Sequence, residues 1–369
     1  MEKIRVAVIG NGIIGESHIK HHAANPDVEL VALCDIDEAR LNQIGDKFGV
    51  ARRFTHIGKL LAERDIQAVD VCLHNNLHAP VAIAAMEAGK DVYCEKPMAG
   101  TFADALAMYN AMERTGRKLH IQLALIYEDA TKAAKRLIDA GRLGRLYHLR
   151  SYGFRRRGRP FVDGYATKEF VNSTTSGGGA LFDMGVYHIS QLLYLAGVPK
   201  LQRVVGATYA EVAMDEGRRR ESGFDVEELG VGFAFYEGGL TLDILESWAV
   251  HAKPFPSSIL CGSLGGFTLS PPTFHGLDGE LLTDTTIDVG AMNYLDHTVH
   301  AATAHYDSSQ AHWIHALLGR CPLLPTARIA LETQRVQEGV YLSERLGREI
   351  SADEIESLSV SRALVPPNL

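Results

Sequence analysis

Short apolar runs alternate with amphipathic segments through the N-terminal third of the chain. Strands are predicted where a run of apolar residues is bounded by polar or turn residues, at 4–9, 28–34, 68–73, 91–94 and 119–125. Helical spacing of apolar positions predicts helices over 13–24, 37–48, 57–64, 81–88 and 101–114, with a loop at 74–80. Several of these strands are apolar on both sides. The pattern therefore predicts a doubly wound parallel sheet.

The pattern changes near residue 125. A helix is predicted over 130–140, a strand over 146–152, and a helical stretch that ends at Ala196. From 201 to 289 strands follow one another without helices, with a hairpin turn at Glu237-Gly238-Gly239, and helices return at 308–318 and 327–346. We predict an α/β protein: a Rossmann domain over 1–124 and an α+β domain over 125–369 with an open, mainly antiparallel sheet. The helix at 327–346 is free to pack back on the first domain.

Length and charge narrow the classes of function. A chain of 369 residues fits two domains, and its net charge of -8 argues against binding to nucleic acid or to an anionic membrane. Five cysteines form no C-x-x-C pair, which fits a reducing cytoplasm. We see neither a signal peptide nor an apolar stretch long enough to span a membrane, so a cytoplasmic location is expected.

The first strand runs into a glycine-rich turn that suits a dinucleotide. Its G-x-G-x-x-G sequence opens the next helix and consists of Gly10, Asn11, Gly12, Ile13, Ile14 and Gly15. The glycines permit a tight turn, close approach of a pyrophosphate and close packing of helix on strand, while the helix start offers N–H groups to phosphates.

The second strand ends in Asp35, about twenty residues after the last glycine. A carboxylate at this position accepts hydrogen bonds from the adenosine ribose and repels a 2′-phosphate. The next residue, Ile36, cannot hold such a phosphate. The sequence therefore favours NAD as the cofactor over NADP.

Polar residues follow the later strands as well, and the carboxyl ends of parallel strands meet at one crevice. Leu73, His74 and His78 follow one strand, and Glu95-Lys96-Pro97 follows the next. The Lys96 ammonium can stabilise the alkoxide that develops as a hydride leaves a carbinol. The alternative is a surface lysine paired with Glu95.

A second candidate group lies at Gly177-Gly178-Gly179, Asp183 and His188. Three successive glycines weaken a helix, so they suggest close approach to the backbone. His188 can accept the carbinol proton, and Asp183 can orient the sugar or hold the imidazole. Five residues apart on an ideal helix do not stack, so both line one pocket only at a helix end or an irregular stretch. From the residues alone, a core histidine is the favoured interpretation.

A loose set of histidines and a short basic run carry less information. The histidines lie between His297 and His315 without a recognised ligand pattern, and we predict no metal site. The basic run, Arg155 to Arg159, is either a solvated loop or an anion or substrate contact.

Together these motifs resemble one family, the glucose-fructose oxidoreductase / inositol dehydrogenase (Gfo/Idh/MocA) family, over roughly residues 1 to 200. The resemblance is carried by the glycine turn, Asp35, the 75–80 loop, Glu95-Lys96-Pro97, and 177–188 as G-G-G-x-x-x-D-x-G-x-x-H. It implies that Lys96, Asp183 and His188 lie at a sugar or cyclitol pocket, and that the open sheet is an oligomer interface. It also implies that Glu95 and Lys96 support the nicotinamide end of the cofactor.

The chain departs from the family pattern at two places. Relatives commonly have T-P-N where this chain has Leu73-His74-Asn75, and an arginine where it has Ile126-Tyr127-Glu128. Tyr127 is therefore a candidate substrate contact. The segment Arg155–Arg159, together with Lys168, resembles a subgroup of the family that acts on glycosides or free sugars. Arg156 and Lys168 are therefore further candidates for contact with substrate.

The sequence thus predicts an NAD-dependent oxidoreductase that interconverts a secondary alcohol of a sugar, glycoside or cyclitol with its ketone. Two alternatives remain open: a glycosidase that retains NAD and acts by transient oxidation and elimination, and a non-catalytic NAD-binding sensor. The expected partners are a small sugar or cyclitol and further copies of the chain, as a homodimer or homotetramer.

Overall fold

The computed structural model describes residues 3–254 and 257–369, without the side chains of 301–303. In chain order the strands are β1 (Ile4–Ile9), β2 (Val28–Cys34), β3 (Arg53–Phe54), β4 (Ala68–Val71), β5 (Asp91–Cys94), β6 (Leu119–Ile121), β7 (Leu146–Phe154), β8 (Leu201–Tyr209), β9 (Leu229–Tyr236), β10 (Thr241–Ser247), β11 (Ile259–Gly262), β12 (Gly266–Leu269), β13 (Pro272–Asp278), β14 (Leu281–Thr286) and β15 (Ile350–Ser351). The helices are α1 (Ile13–Ala24), α2 (Glu38–Phe48), α3 (Ile57–Leu61), α4 (Asn75–Glu87), α5 (Phe102–Thr115), α6 (Asp129–Asp139), α7 (Ser173–Ser176), α8 (Ala180–Asp183), α9 (Gly185–Leu195), α10 (Glu216–Ser222), α11 (Val289–Thr298), α12 (Ser309–Leu317), α13 (Thr326–Leu346) and α14 (Ala352–Leu358). Short 3₁₀ turns lie at Ala124–Tyr127, Lys168–Val171, Glu237–Gly239 and Ala301–Tyr306.

The chain forms two compact units, and the C-terminal part of the sequence contributes to both. The first unit contains residues 1–122, 305–331 and 360–369, and the second contains 123–304 and 332–359. The helix α13 is divided between them after Leu331. The units are therefore built from separated segments rather than from two consecutive halves.

The first unit is built on a parallel six-stranded sheet in the order β3-β2-β1-β4-β5-β6. The prediction of a doubly wound sheet is confirmed. Helix α12, from late in the chain, packs Trp313 and Ile314 against Val6 and Tyr93, all of them fully buried. Strand order reverses between β1 and β4, which is where sheets of this kind bind their ligands.

The predicted loop at 74–80 is wrong, because helix α4 already begins at Asn75 and contains Pro80 in its interior. Proline usually interrupts a helix, since it lacks the N–H that would bond the carbonyl four residues earlier. Here the carbonyl of Asn76 accepts a hydrogen bond from the N–H of Leu364 at 2.9 Å instead. A partner far along the sequence thus allows the helix to continue.

The strand predicted at 119–125 is too long. Ile121 pairs with Cys94, the last residue of β5, so no neighbouring strand is left to continue the ladder. Residues 124–127 turn into a short 3₁₀ segment instead. For the same reason the strand predicted at 68–73 ends at Val71, which also pairs with Cys94.

The second unit contains a nine-stranded sheet in the order β14-β13-β12-β11-β7-β10-β9-β8-β15. Neighbours are antiparallel except for the β7–β10 pair. The predicted hairpin turn at 237–239 joins β9 to β10, and the open, mainly antiparallel sheet is confirmed. Among helices in the described ranges, none is long and apolar enough to cross a membrane.

Candidate active site

The glycine turn between β1 and α1 has the form that a pyrophosphate requires. Gly10 adopts a φ of +91°, and a Cβ there would lie 2.3 Å from the Cys72 carbonyl oxygen. A Cβ on Gly15 would lie 1.9 Å from the Gly10 carbonyl oxygen, whereas one on Gly12 would meet no atom within 4 Å. The first and third glycines therefore allow close packing, and the second leaves the approach to the backbone open.

The start of α1 is suited to an anion. Within the described residues, no side chain caps this helix at Gly12, so its first N–H groups are not satisfied in that way. Asn11 is completely buried, and both polar atoms of its carboxamide are without a hydrogen-bond partner among the described residues. A buried carboxamide of this kind usually has a partner. These observations fit a bound nucleotide.

Asp35 holds the glycine turn from Gly10 to Gly15, the nucleotide turn, in place. One carboxylate oxygen accepts the N–H of Asn11 at 2.6 Å, and the other accepts the N–H of Asp37 at 2.9 Å. A carboxylate oxygen can accept more than one hydrogen bond, so Asp35 retains capacity for ribose hydroxyls. Ile36 beside it is 68% exposed, which is unusual for a large apolar side chain.

The two histidines after β4 have different surroundings. His74 is exposed at the start of α4 and makes no capping hydrogen bond there. His78 is fully buried, with Nδ1 2.9 Å from the Pro97 carbonyl oxygen and Nε2 3.0 Å from that of Leu73. Burial lowers the pKa of His78. His78 therefore ties together the chain segments that follow β4 and β5 and does not present a polar atom to a ligand.

Lys96 lies in the turn after β5 and is half-buried. Its backbone N–H donates a hydrogen bond to the Glu95 carboxylate at 3.1 Å. The other oxygen of Glu95 lies 2.8 Å from Nε2 of His18. On the opposite side of that ring, Nδ1 lies 3.0 Å from Asp70, which also contacts His22 at 2.7 Å. This buried network fixes the turn that carries Lys96.

The charges in this network stabilise one another. Burial alone would lower the pKa of His18, but Asp70 raises it well above its ordinary value. Burial would raise the pKa of Asp70, but His18 and His22 hold it well below its usual range. Sequence reasoning missed the network, although Asp70 stands in the otherwise apolar strand Ala68–Val71, where a buried carboxylate needs a partner.

Among the described residues, His18, Asp70 and Cys72 form the one group close enough to share a metal ion. Burial raises the pKa of the Cys72 thiol, and the ring of His18 is already engaged by two carboxylates. The thiolate is the form of cysteine that ligates metals. The group is therefore better described as a hydrogen-bonded network than as a metal site.

In the second unit, the segment that carries Asp183 and His188 is not one continuous helix. Helix α8 ends at Asp183, Met184 intervenes, and α9 begins at Gly185. The spacing of the two residues calls for an irregular stretch of this kind if both are to line one pocket. Asp183 accepts a hydrogen bond from the indole N–H of the fully buried Trp248 at 3.0 Å.

The glycines before Asp183 allow close approach by the protein itself. A Cβ on Gly179 would lie 1.9 Å from the Glu227 carbonyl oxygen, and one on Gly178 would lie 2.3 Å from the Tyr341 hydroxyl. The Glu227 carboxylate also accepts the N–H groups of Gly179 and Leu181, both at 2.8 Å. The glycines therefore allow the start of α8 to pack directly against the buried Glu227 carboxylate.

His188 pairs with Glu246 rather than with Asp183. Its Nδ1 lies 3.0 Å from the Glu246 carboxylate, which is completely buried, while 20% of the His188 side chain is exposed. The second oxygen of Glu246 accepts the Ser151 hydroxyl at 2.5 Å. Burial would lower the pKa of His188, but the Glu246 carboxylate and its hydrogen bond outweigh this and raise it.

This pairing fixes the protonation of the imidazole. A carboxylate only accepts, so Nδ1 carries the proton and Nε2 of the neutral ring keeps its lone pair. Sequence reasoning missed Glu246, although a signal was present. In β10, Leu242 and Ile244 are buried, and alternation places Glu246 on the same face.

The three candidate substrate contacts differ in their exposure. Tyr127 is buried, with 5% of its surface exposed, whereas Arg156 and Lys168 are exposed. In the basic run, Arg159 is fully buried and binds Asp163 and Glu228, both at 2.9 Å. The interpretation of the run as a solvated loop is therefore wrong for Arg159, and its guanidinium is engaged by carboxylates of the protein rather than presented to an anion or substrate.

Two family models match consecutive parts of the chain. The Gfo/Idh/MocA model described as an oxidoreductase family with an NAD-binding Rossmann fold matches residues 4–123, and the Gfo/Idh/MocA C-terminal domain matches 131–268. The chain belongs to the Gfo/Idh/MocA family. The resemblance seen in the sequence motifs is confirmed.

Individual Gfo/Idh/MocA proteins are similar over nearly the whole chain. A D-glucoside 3-dehydrogenase of Escherichia coli is 25% identical over 94% of this chain and 97% of its own length. A D-apiose dehydrogenase of Paraburkholderia graminis is 26% identical over 97% of this chain and 92% of its own. The crystal structure of an oxidoreductase domain protein from Kribbella flavida covers 95% of this chain and 100% of its own, with a TM-score of 0.78 at 22% identity, and it shows the same fold.

Proposed function

We propose that this protein is an NAD-dependent oxidoreductase that interconverts a secondary alcohol of a sugar, glycoside or cyclitol with its ketone. The observation that carries the proposal is the buried Glu246 carboxylate on Nδ1 of His188, because it leaves Nε2 as a proton acceptor. The family and the dehydrogenase names of the relatives support the substrate class.

The nucleotide turn from Gly10 to Gly15 would hold the pyrophosphate of NAD, and Asp35 would hold the adenosine ribose. When bound, NAD supplies the acceptor for the hydride that leaves the substrate carbon. Asp35 disfavours NADP, since its carboxylate would lie close to a 2′-phosphate.

His188 acts as the general base in alcohol oxidation. Its neutral ring accepts the hydroxyl proton at Nε2, and the imidazolium that forms is stabilised by Glu246. In ketone reduction the same group returns the proton. Since His188 is only partly exposed, the charge pair acts in surroundings with little water, where it is stronger than in solution.

Lys96 and Asp183 have supporting roles in this proposal. The Lys96 ammonium donates to the reacting oxygen and stabilises the negative charge that develops there. Asp183, fixed by Trp248, accepts a hydrogen bond from a sugar hydroxyl and orients the ring. Ile13, Ile14 and Glu95 line or support the phosphate and nicotinamide end of the cofactor, and Leu73 lines the cavity beside Asp35. His78 acts indirectly through the chain segments it joins.

The test is a substrate screen with the purified protein and NAD. Sugars, methyl glycosides and inositols are added singly, and the absorbance of the reduced cofactor is followed. Reduction with at least one of them supports the proposal. Cleavage of a glycoside without net reduction would replace it by the elimination mechanism, and tight NAD binding with no turnover on any compound would replace it by a sensor.

Two further proposals concern assembly and location. We propose that the open sheet of the second unit joins copies of the chain, since Tyr147, Val205 and Tyr209 on its strands are large apolar or aromatic side chains that are substantially exposed. A mass from light scattering that matches a homodimer or a homotetramer would support this.

We also propose a cytoplasmic location. None of the five cysteines forms a disulfide, which supports this proposal.

A further inference from the structure

The final segment of the sequence, Val360–Leu369, is fastened to the first unit at both of its ends. Near its start, the Ser361 hydroxyl and the Arg362 N–H donate to Asp104 at 2.5 and 2.9 Å. Near its end, the Asn368 side chain donates to the Thr55 carbonyl at 2.8 Å, and the Gly58 N–H donates to the Asn368 carbonyl at 3.3 Å. The residues in between form a bridge.

The middle of this bridge is held by an acceptor that Pro80 leaves available. Because Pro80 has no N–H, the Asn76 carbonyl lacks its usual partner in α4. The Leu364 N–H donates to this carbonyl at 2.9 Å. The docking point is therefore built into the helix that follows β4, beside the nucleotide turn.

The bridge closes one side of a cavity of about 300 Å³. The opposite side is the predicted nucleotide site, with Gly10 and the ends of β1 and β2. The lining is mostly apolar and includes Gly10, Asp35, Ile36 and residues 364–368. This volume lies at the lower end of the usual range for small-ligand sites, about 300–1,000 Å³.

Large apolar side chains stand exposed on both sides of the cavity. Ile36 is 68% exposed and Val365 is 74% exposed. A flat heteroaromatic ring between the two sides would cover such surface, and the Asp35 carboxylate lies where the attached ribose would need an acceptor. Pro366 and Pro367 restrict the backbone, so the wall loses little conformational entropy when a ring binds against it.

We propose that residues Leu364–Asn368 form the outer wall of the adenine pocket and contribute directly to the affinity for NAD. The inference rests on the proposed location of NAD at the glycine turn, not on the proposed chemistry. It assigns to the last residues of this sequence a specific role in cofactor binding: they hold the adenosine half, while the nicotinamide half is held elsewhere.

Binding of NADH, AMP and reduced nicotinamide mononucleotide tests the proposal, because only the first two contain adenosine. Val365→Asp places a charge on the wall, and Val360→Asp is the matched control, since Val360 is also exposed but does not line the cavity. We expect Val365→Asp to raise the Kd of NADH and of AMP about tenfold or more, a change of about 1.4 kcal/mol or more in binding free energy. The mononucleotide Kd and the control variant should stay at wild-type values.

A chain that ends at Ala363 should show the same loss, and circular dichroism establishes whether it folds. If it does not, the folded Val365→Asp protein decides. Wild-type Kd values for NADH and AMP in Val365→Asp, with weaker binding in Asp35→Ala, would overturn the proposed role of the wall but not the proposed location of NAD. Wild-type values in both would overturn the location of NAD. Failure of every sugar to reduce NAD would leave these binding results intact.

Discussion

Replacing Glu246 by glutamine tests whether its charge, and not merely its shape, prepares His188. Glutamine is nearly isosteric, which matters because the site is tightly packed: a Cβ on Gly153 would lie 1.8 Å from the Glu246 carboxylate. The substitution removes one buried negative charge 3.0 Å from Nδ1 of His188. The variant should fold and should retain NADH binding.

The size of the effect follows from the type of hydrogen bond. A bond to a charged group contributes about 1.5–3 kcal/mol, and each ~1.4 kcal/mol is tenfold in rate. If the imidazolium is stabilised by this amount in the transition state, Glu246→Gln lowers kcat/KM by about ten- to a hundredfold. KM for NAD should change little.

The pH profile gives a second, independent readout. His188 must be neutral to accept a proton, so kcat/KM of the wild type falls as the pH drops through the raised pKa of His188. Without the carboxylate, burial lowers that pKa against only the smaller effects of Glu128 and the Met184 carbonyl, so the acidic limb moves to lower pH. The loss of activity should therefore be largest at high pH and smaller at low pH.

Asp243→Asn is the matched control. Asp243 lies on the same strand, pairs with Arg150 at 2.6 Å, and faces the opposite side of the sheet. It loses the same charge without touching His188, and its activity and pH profile should match the wild type. A folded Glu246→Gln protein with wild-type kcat/KM and an unmoved acidic limb would refute the pairing as a catalytic device.

Three further predictions concern other parts of the molecule. Lys96→Met and His188→Ala should each lower kcat by about a hundredfold or more with NADH binding nearly intact, measured by steady-state kinetics and fluorescence titration; an equal loss of binding would make either residue a cofactor ligand instead. Asp35→Ser should raise kcat/KM with NADP relative to NAD about tenfold or more, because it removes the repulsion of a 2′-phosphate; an unchanged ratio would contradict the placement of the ribose. Arg159→Leu removes the cationic partner of the buried Glu228 and should lower the free energy of unfolding in urea by about 3–5 kcal/mol; a loss below about 1 kcal/mol would show that the buried pair contributes little.

Features that depend on neighbouring residues were predictable from the sequence. The glycine turn, the strand that precedes it and the carboxylate after β2 form a contiguous pattern, because each step depends on local turn geometry and on apolar periodicity. The spacing of Asp183 and His188 indicated that both could line one pocket only at a helix end or an irregular stretch, and a break between α8 and α9 lies between them. The misplaced loop at 74–80 shows the limit of such local rules. A proline ordinarily ends or kinks a helix, but here the Asn76 carbonyl, four residues before Pro80, accepts a hydrogen bond from the Leu364 N–H.

The pairs that tune the candidate site were not predictable, because they join distant positions. Glu246 and His188 are 58 residues apart, and Asp70 and His18 are 52 apart. The sequence shows only that a carboxylate stands on the apolar face of a strand, which means that some partner must exist. Which histidine it meets is decided by sheet order and register, and those depend on the whole fold.

The most direct test of the account is single-turnover reduction of bound NAD by a sugar from the screen, with hydrogen or deuterium at the oxidised carbon. Wild-type protein should show a slower rate with deuterium and a rate that falls as the pH drops through the pKa of His188. In His188→Ala the reduction should be slower by about a hundredfold or more and should lose this pH dependence. An unchanged rate and pH profile in that variant would contradict the claim that His188 takes the proton as the hydride leaves.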